Sequence, residues 1–174
     1  MMNPYPVSRM AHTLTILARM AAVAMPVIAA LIWFFWDDLA PLAGTGLDVT
    51  ALDTTGRLLG FLLSLVGALI QSYGLLGLAK TFQEGARGDA LSQTAVAGFR
   101  RFAWTVLLLV PVRALTYTLT VLLVTMRDAI PGNQLAIKVG TPELSGLFMG
   151  LILVFLAHVF AEGHAAQEEN KAFL

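Results

Sequence analysis

Long apolar stretches alternate with short polar segments along this chain, and walking between charges marks four of them: Leu14–Trp36, Leu58–Ala79, Phe102–Met126 and Leu144–Ala161. A helix needs roughly 20 residues to cross a bilayer core of about 30 Å, and each stretch is long enough, the fourth being near the short limit. Backbone N–H and C=O groups find no water in hydrocarbon, so every stretch is predicted to be an α-helix. The third holds Arg113, but neither fragment beside it could cross alone, which makes one span with a charge inside it. The predicted fold is all-α, an integral membrane four-helix bundle, with residues 1–174 forming one membrane domain.

The connections fit this reading. Asp37 to Arg57 carries four aspartates with Pro41, Gly44 and Gly46, and Arg127 to Glu143 carries Pro131-Gly132-Asn133 and Pro142; both are expected to be loops. The first stretch begins like a signal peptide but runs into Trp33-Phe34-Phe35-Trp36-Asp37-Asp38 without a small-residue cleavage site, so it is expected to stay as a helix. Arg9, Arg19, Lys80, Arg87, Arg100, Arg101 and Lys171 fall on one side of the four spans, against Arg57, Arg127 and Lys138 on the other. The positive-inside rule then puts both termini in the cytoplasm. Trp33, Trp36 and Trp104 are expected at head-group level, where amphipathic rings settle.

Composition strengthens the case for lipid as solvent: 57% of residues are apolar and 13% charged, against about 45–50% and about 25% in soluble domains. A net charge of zero removes the basic footprint of a nucleic-acid binder, so no direct nucleic-acid contact is expected. With no cysteine, disulfides, thiolate zinc sites, iron–sulfur clusters and covalent c-type haem are excluded. His158 and Glu162 share a helix face, but His164 lies beyond Gly163, whose type suits a helix stop; no metal is expected, and no cofactor, His12 and His158 lying near helix ends.

The chain also repeats itself. Leu78-Ala79-Lys80-Thr81-Phe82-Gln83-Glu84-Gly85 recurs as Leu156-Ala157-His158-Val159-Phe160-Ala161-Glu162-Gly163, each copy ending a span on the same side. Two readings stand: helical hairpins related as parallel repeats, or coincidence between similar helix ends. Phe160-Ala161-Glu162-Gly163 with Gln167-Glu168-Glu169-Asn170, and Phe82, Gly88, Leu91-Ser92 and Phe99-Arg100-Arg101 before them, resemble the DUF2975 family of small bacterial four-helix membrane proteins. The likeness covers most of Leu58 to Asn170; Arg113 and the ending Lys171-Ala172-Phe173-Leu174 depart from it. It implies a bacterial cytoplasmic (inner) membrane protein without an assigned activity, and, as partner, a small soluble helix-turn-helix transcription regulator.

Two sets of residues carry the candidate chemistry. In the second span Gly60, Ser64, Gly67, Gln71 and Gly74 recur every three or four residues along one seam, and Gly146 and Gly150 form a small-xxx-small pair in the fourth. Arg113 shares a helix face with Thr116, Tyr117 and Thr120, and Pro111 frees the carbonyl of Leu107 nearby. No span contains Asp or Glu, so Arg113 has three open roles: bonding Gln71, Tyr73 or freed carbonyls, holding an anionic ligand or lipid head group, or moving as a gating charge. The second set is cytoplasmic: Arg100, Arg101, Glu84, Glu162, Glu168 and Glu169 are docking candidates, with Ser92 capping a helix that enters the third span; the other reading of this surface is membrane anchoring alone, its arginines attracted by anionic lipid. No nucleophile, acid–base pair or phosphate loop is found, so a non-enzymatic docking protein is expected. The alternative is a small transporter or channel subunit, a homo-oligomer using Arg113.

Overall fold

The computed structural model describes residues 6–35, 53–127 and 140–172, so Trp36 and most of the two predicted outer loops lie outside the described residues, while the loop ends 54–57 and 141–143 are helical. Four helices account for nearly all of it: α1 (Pro6–Phe34), α2 (Thr54–Ala86), α3 (Gln93–Arg127) and α4 (Thr141–Ala172). All four are long and apolar enough to cross a membrane, which makes this a multi-pass membrane protein. They outrun the apolar stretches that nucleate them: α3, with 35 residues, extends for about 52 Å at 1.5 Å per residue.

Local chemistry sets most of the helix ends. Asp53 caps α2, its Oδ1 accepting the Gly56 N–H at 2.8 Å. Ser92 caps α3 as expected, its hydroxyl accepting from the Ala95 N–H at 3.2 Å, while at α4 the Glu143 carboxylate reaches back to the Gly140 N–H at 2.8 Å. Gly88, at φ +86°, supplies the left-handed turn after α2. The expectation that Gly163 stops a helix is not met: α4 runs through it to Ala172. Glycine permits a break without imposing one, and good helix formers come after it, ending in a Glu168–Lys171 pair.

Each helix packs antiparallel on its chain neighbour, α1 on α2, α2 on α3 and α3 on α4; among the described residues no other pair of helices packs. The bundle is therefore an open row with α1 and α4 at its edges. Most of what it buries is small: Ala11, Ala18, Ala22, Ala79, Ala95, Ala103 and Ala157, with glycines between them, beside the larger Trp33, Val96 and Leu109. Large side chains point away, Phe148 and Phe155 each with 67% of their surface exposed. In water such a surface would aggregate; in lipid, where apolar contact is no reward, helices associate through small residues that let backbones approach.

The glycine stripe of α2 proves to be a boundary between two neighbours rather than a single seam. Gly60 lies beneath the Trp33 ring of α1, and Ser64 accepts the Trp33 indole N–H at 2.9 Å. Gly74 and Gly77 face α3, where a Cβ on Gly74 would stand 2.7 Å from Thr105 and one on Gly77 2.7 Å from the Gly98 carbonyl. Gly67, between these, has open space around it. The stripe is continuous in sequence because one helix serves two partners. Trp33, at 5% exposed, fills the α1–α2 interface near the end of α1, while Trp104 is half exposed.

Hydroxyls fasten the seams. The Ser72 hydroxyl lies 2.6 Å from the Ala22 carbonyl across α1–α2, and the Thr81 hydroxyl donates to the Ala95 carbonyl of α3 at 2.9 Å. Two substitutions separate close approach from helix propensity. A methyl group at Gly98 would stand 2.5 Å from the Gly77 carbonyl, so Gly98→Ala is expected to destabilise by about 1–3 kcal/mol. Gly67→Ala meets nothing and is expected to gain about 0.5–1 kcal/mol, both read by unfolding in mixed micelles.

Candidate functional site

The first site is a hollow of about 350 Å³ in which α2, α3 and α4 all take part. Gly146 faces Val110 and Gly150 faces Leu107, and this register carries the first turn of α4 alongside Arg113. Gln71, Thr105, Arg113, Pro142, Glu143 and Gly146 therefore line one cavity over an apolar floor that includes Leu75, Val106 and Leu109. Arg113 Nη2 donates to Gln71 Oε1 at 3.5 Å, a long bond at the edge of significance. Side chains on a helix lean toward its N-terminus, so the guanidinium is directed along α3 toward Gln71.

Of the residues expected around Arg113, Gln71 is brought to it from another helix, and Thr116, Tyr117 and Thr120 follow it along one side of α3. Thr116, Tyr117 and Thr120 do not line the cavity; the buried Thr120 hydroxyl instead donates to the Thr116 carbonyl at 2.8 Å. Tyr73 belongs to another place, beneath Arg101. The residue that sequence reasoning misses is Glu143. Charge counting assigns it to the outer loop, leaving Arg113 without an acid, yet both line the same hollow. The signal is present in the lengths: the fourth apolar stretch is shorter than the third, so antiparallel pairing sets its polar start beside the interior of the third. Glu143 remains bonded to the Gly140 N–H, and no ion pair between it and Arg113 is formed.

The second region is the end of the row that holds the α2–α3 turn. The Phe99 and Phe160 rings pack at a tilt with centroids 5.1 Å apart, so α4 leaves its apolar stretch where α3 enters its own. Beyond this level Asp89, Leu91, Ser92 and Gln93 of the turn face His164, Gln167, Glu168 and Lys171 across a polar hollow of about 290 Å³. The acidic docking candidates divide here. Glu84 is tied to Arg87 at 2.8 Å and Glu168 to Lys171 at 2.8 Å, while Glu162 and Glu169 are exposed on α4. Arg100 and Arg101 lie elsewhere, in a groove of about 700 Å³ with Tyr73, Trp104 and Leu108. Among the described residues no group of three His, Asp or Glu converges in a way that could hold a metal ion.

The bond donated by Lys171, together with its charge, holds the Glu168 carboxyl below the ordinary range, and the same contact raises Lys171. A lowered carboxylate pKa means that the pair persists at neutral pH and is lost as pH falls through that lowered value. In Lys171→Gln, carboxyl NMR titration is expected to return Glu168 to the usual carboxylate range.

No family model matches the chain, and no curated protein or solved structure is similar to it.

Proposed function

We propose that the chain is a non-enzymatic multi-pass protein of the bacterial cytoplasmic membrane, both ends of the chain in the cytoplasm, that docks a small soluble helix-turn-helix regulator. The observation that carries this reading is the polar extension of α4. From Glu162 to Ala172 it continues as helix about three turns past the apolar stretch, laid beside the α2–α3 turn. A helix kept rigid outside the bilayer, with Glu162, Glu168 and Glu169 along it, presents a fixed acidic surface to a soluble protein. The regulator itself, and kinship with the DUF2975 family, rest on the motif likeness at Phe82 to Arg101 and Phe160 to Asn170. The orientation rests on the excess of Lys and Arg at this end of the row. The hydroxyls of Thr105, Thr118, Thr120 and Thr125 are engaged by carbonyls of their own helix, which supports a non-catalytic role.

A second reading is favoured by the hollow around Arg113. A cation and an amide aimed into a cavity at membrane depth would serve a small anion carrier or channel subunit, and an open row of helices would need further copies of itself to close a path.

A photo-crosslinking residue at Glu169, used in native membranes, is expected to capture a small soluble helix-turn-helix protein, and Glu162→Gln/Glu168→Gln/Glu169→Gln to reduce the yield several-fold. Absence of that adduct, with anion flux through liposomes bearing the purified chain and its loss in Arg113→Gln, would transfer the assignment to transport.

A further inference from the structure

Arg100 and Arg101 face the bilayer side of the α2–α3 pair. On α3, Arg100, Trp104 and Leu108 recur at intervals of four and so share one face; on α2, Leu69 and Tyr73 do the same. The two faces meet in a groove of about 700 Å³ lined by these residues with Ile70, Ala97, Arg101 and Thr105. It is graded along its length. Arg100 is exposed at one end, and the Arg101 guanidinium lies 4.6 Å from the Tyr73 ring centre. Trp104 and Tyr73 are each more than half exposed, and Leu69 and Leu108 extend the groove as bare hydrocarbon.

The depth fits as well. Gly77 packs on Gly98 and Arg101, and α2 leaves its apolar stretch at Lys80, about one helical turn further on. Both arginines are therefore rooted near the edge of the apolar zone, Arg100 exposed there and Arg101 held over the Tyr73 ring one turn further in. No acidic residue lines the groove, so its charge is uncompensated by the protein along its own walls.

We propose that this groove is a binding site for an anionic phospholipid of the phosphatidylglycerol type. The phosphodiester accepts hydrogen bonds from the Arg100 and Arg101 guanidinium groups, whose planar forks match phosphate oxygens. The ester region lies at the Tyr73 and Trp104 rings, and an acyl chain runs along Leu69, Ile70 and Leu108. Charge complementarity selects this occupant over a zwitterionic lipid, whose ammonium group would meet two cations and no acid. The site is independent of the docking surface on α4: it withdraws Arg100 and Arg101 from that surface and leaves the carboxylates there.

The test uses the full chain in detergent, titrated with phosphatidylglycerol, phosphatidylethanolamine or phosphatidylcholine of identical acyl chains and read by native mass spectrometry. Phosphatidylglycerol is expected to be retained about 30-fold more strongly than either zwitterionic lipid, which corresponds to about 1 kcal/mol for each arginine. Arg100→Gln/Arg101→Gln should abolish the preference, while Arg87→Gln, which lies outside the groove, keeps it. A readout that needs no arginine substitution is quenching by brominated lipids in vesicles, with the Trp104 contribution taken as the difference from Trp104→Phe: brominated phosphatidylglycerol should quench it more than brominated phosphatidylcholine at equal mole fraction. Equal retention or equal quenching of the lipids, a preference that survives in the double variant, or displacement of phosphatidylglycerol by inorganic phosphate alone would each overturn the proposal.

Discussion

Close approach of helix backbones at small residues is the constraint on which the rest of this structure depends. In hydrocarbon a leucine gains nothing by exchanging lipid for a neighbouring helix, so contact must come from dispersion at short range and from hydrogen bonds between helices. Gly77 against Gly98 and Gly150 against Leu107 supply the first; Ser72 to Ala22, Thr81 to Ala95 and Trp33 to Ser64 supply the second. Large side chains are left to point outward, which is why Phe148 and Phe155 are exposed while Ala157 on the same helix is buried.

An open row has consequences for where polar chemistry can stand. Because α2 and α4 both pack on α3 but not on each other, a hollow remains over α3 between them, and Arg113, Gln71 and Glu143 line it. On another face of the α2–α3 pair, left uncovered by the other described helices, lies the groove of Arg100 and Arg101. The polar ends of α2, α3 and α4 emerge together beside the α2–α3 turn and form a small head outside the apolar zone. Membrane core, lipid-facing groove and polar head are thus consecutive levels of the same three helices.

Much of this is legible in the sequence. The four apolar stretches foretell the helices because hydrocarbon enforces helix wherever backbone enters it, and Ser92 announces the start of α3. Packing partners are harder to read. Gly60 to Gly74 look like one seam because sequence spacing records a helix face but not how many neighbours share it. Position near a span end says nothing of what Trp33 packs against, and only the smallness of Gly60, far away in the chain, makes room for it between helices. Charge counting sets Glu143 apart from Arg113 by placing it in a loop, whereas antiparallel register makes both line one hollow. Gly163 shows the limit of reading glycine as punctuation, because the helix-forming residues after it carry α4 onward.

The central claim is that the outward-facing side chains of α4 meet lipid rather than water or protein. Since the chain has no native cysteine, single spin labels at Phe148, Leu151 and Phe155 in reconstituted vesicles test it directly by collision with molecular oxygen and with a water-soluble nickel chelate. High oxygen and low nickel accessibility at all three sites is the result this account predicts. High nickel accessibility, as on a helix in water, or low accessibility to both probes, as on a helix covered by protein, would contradict it.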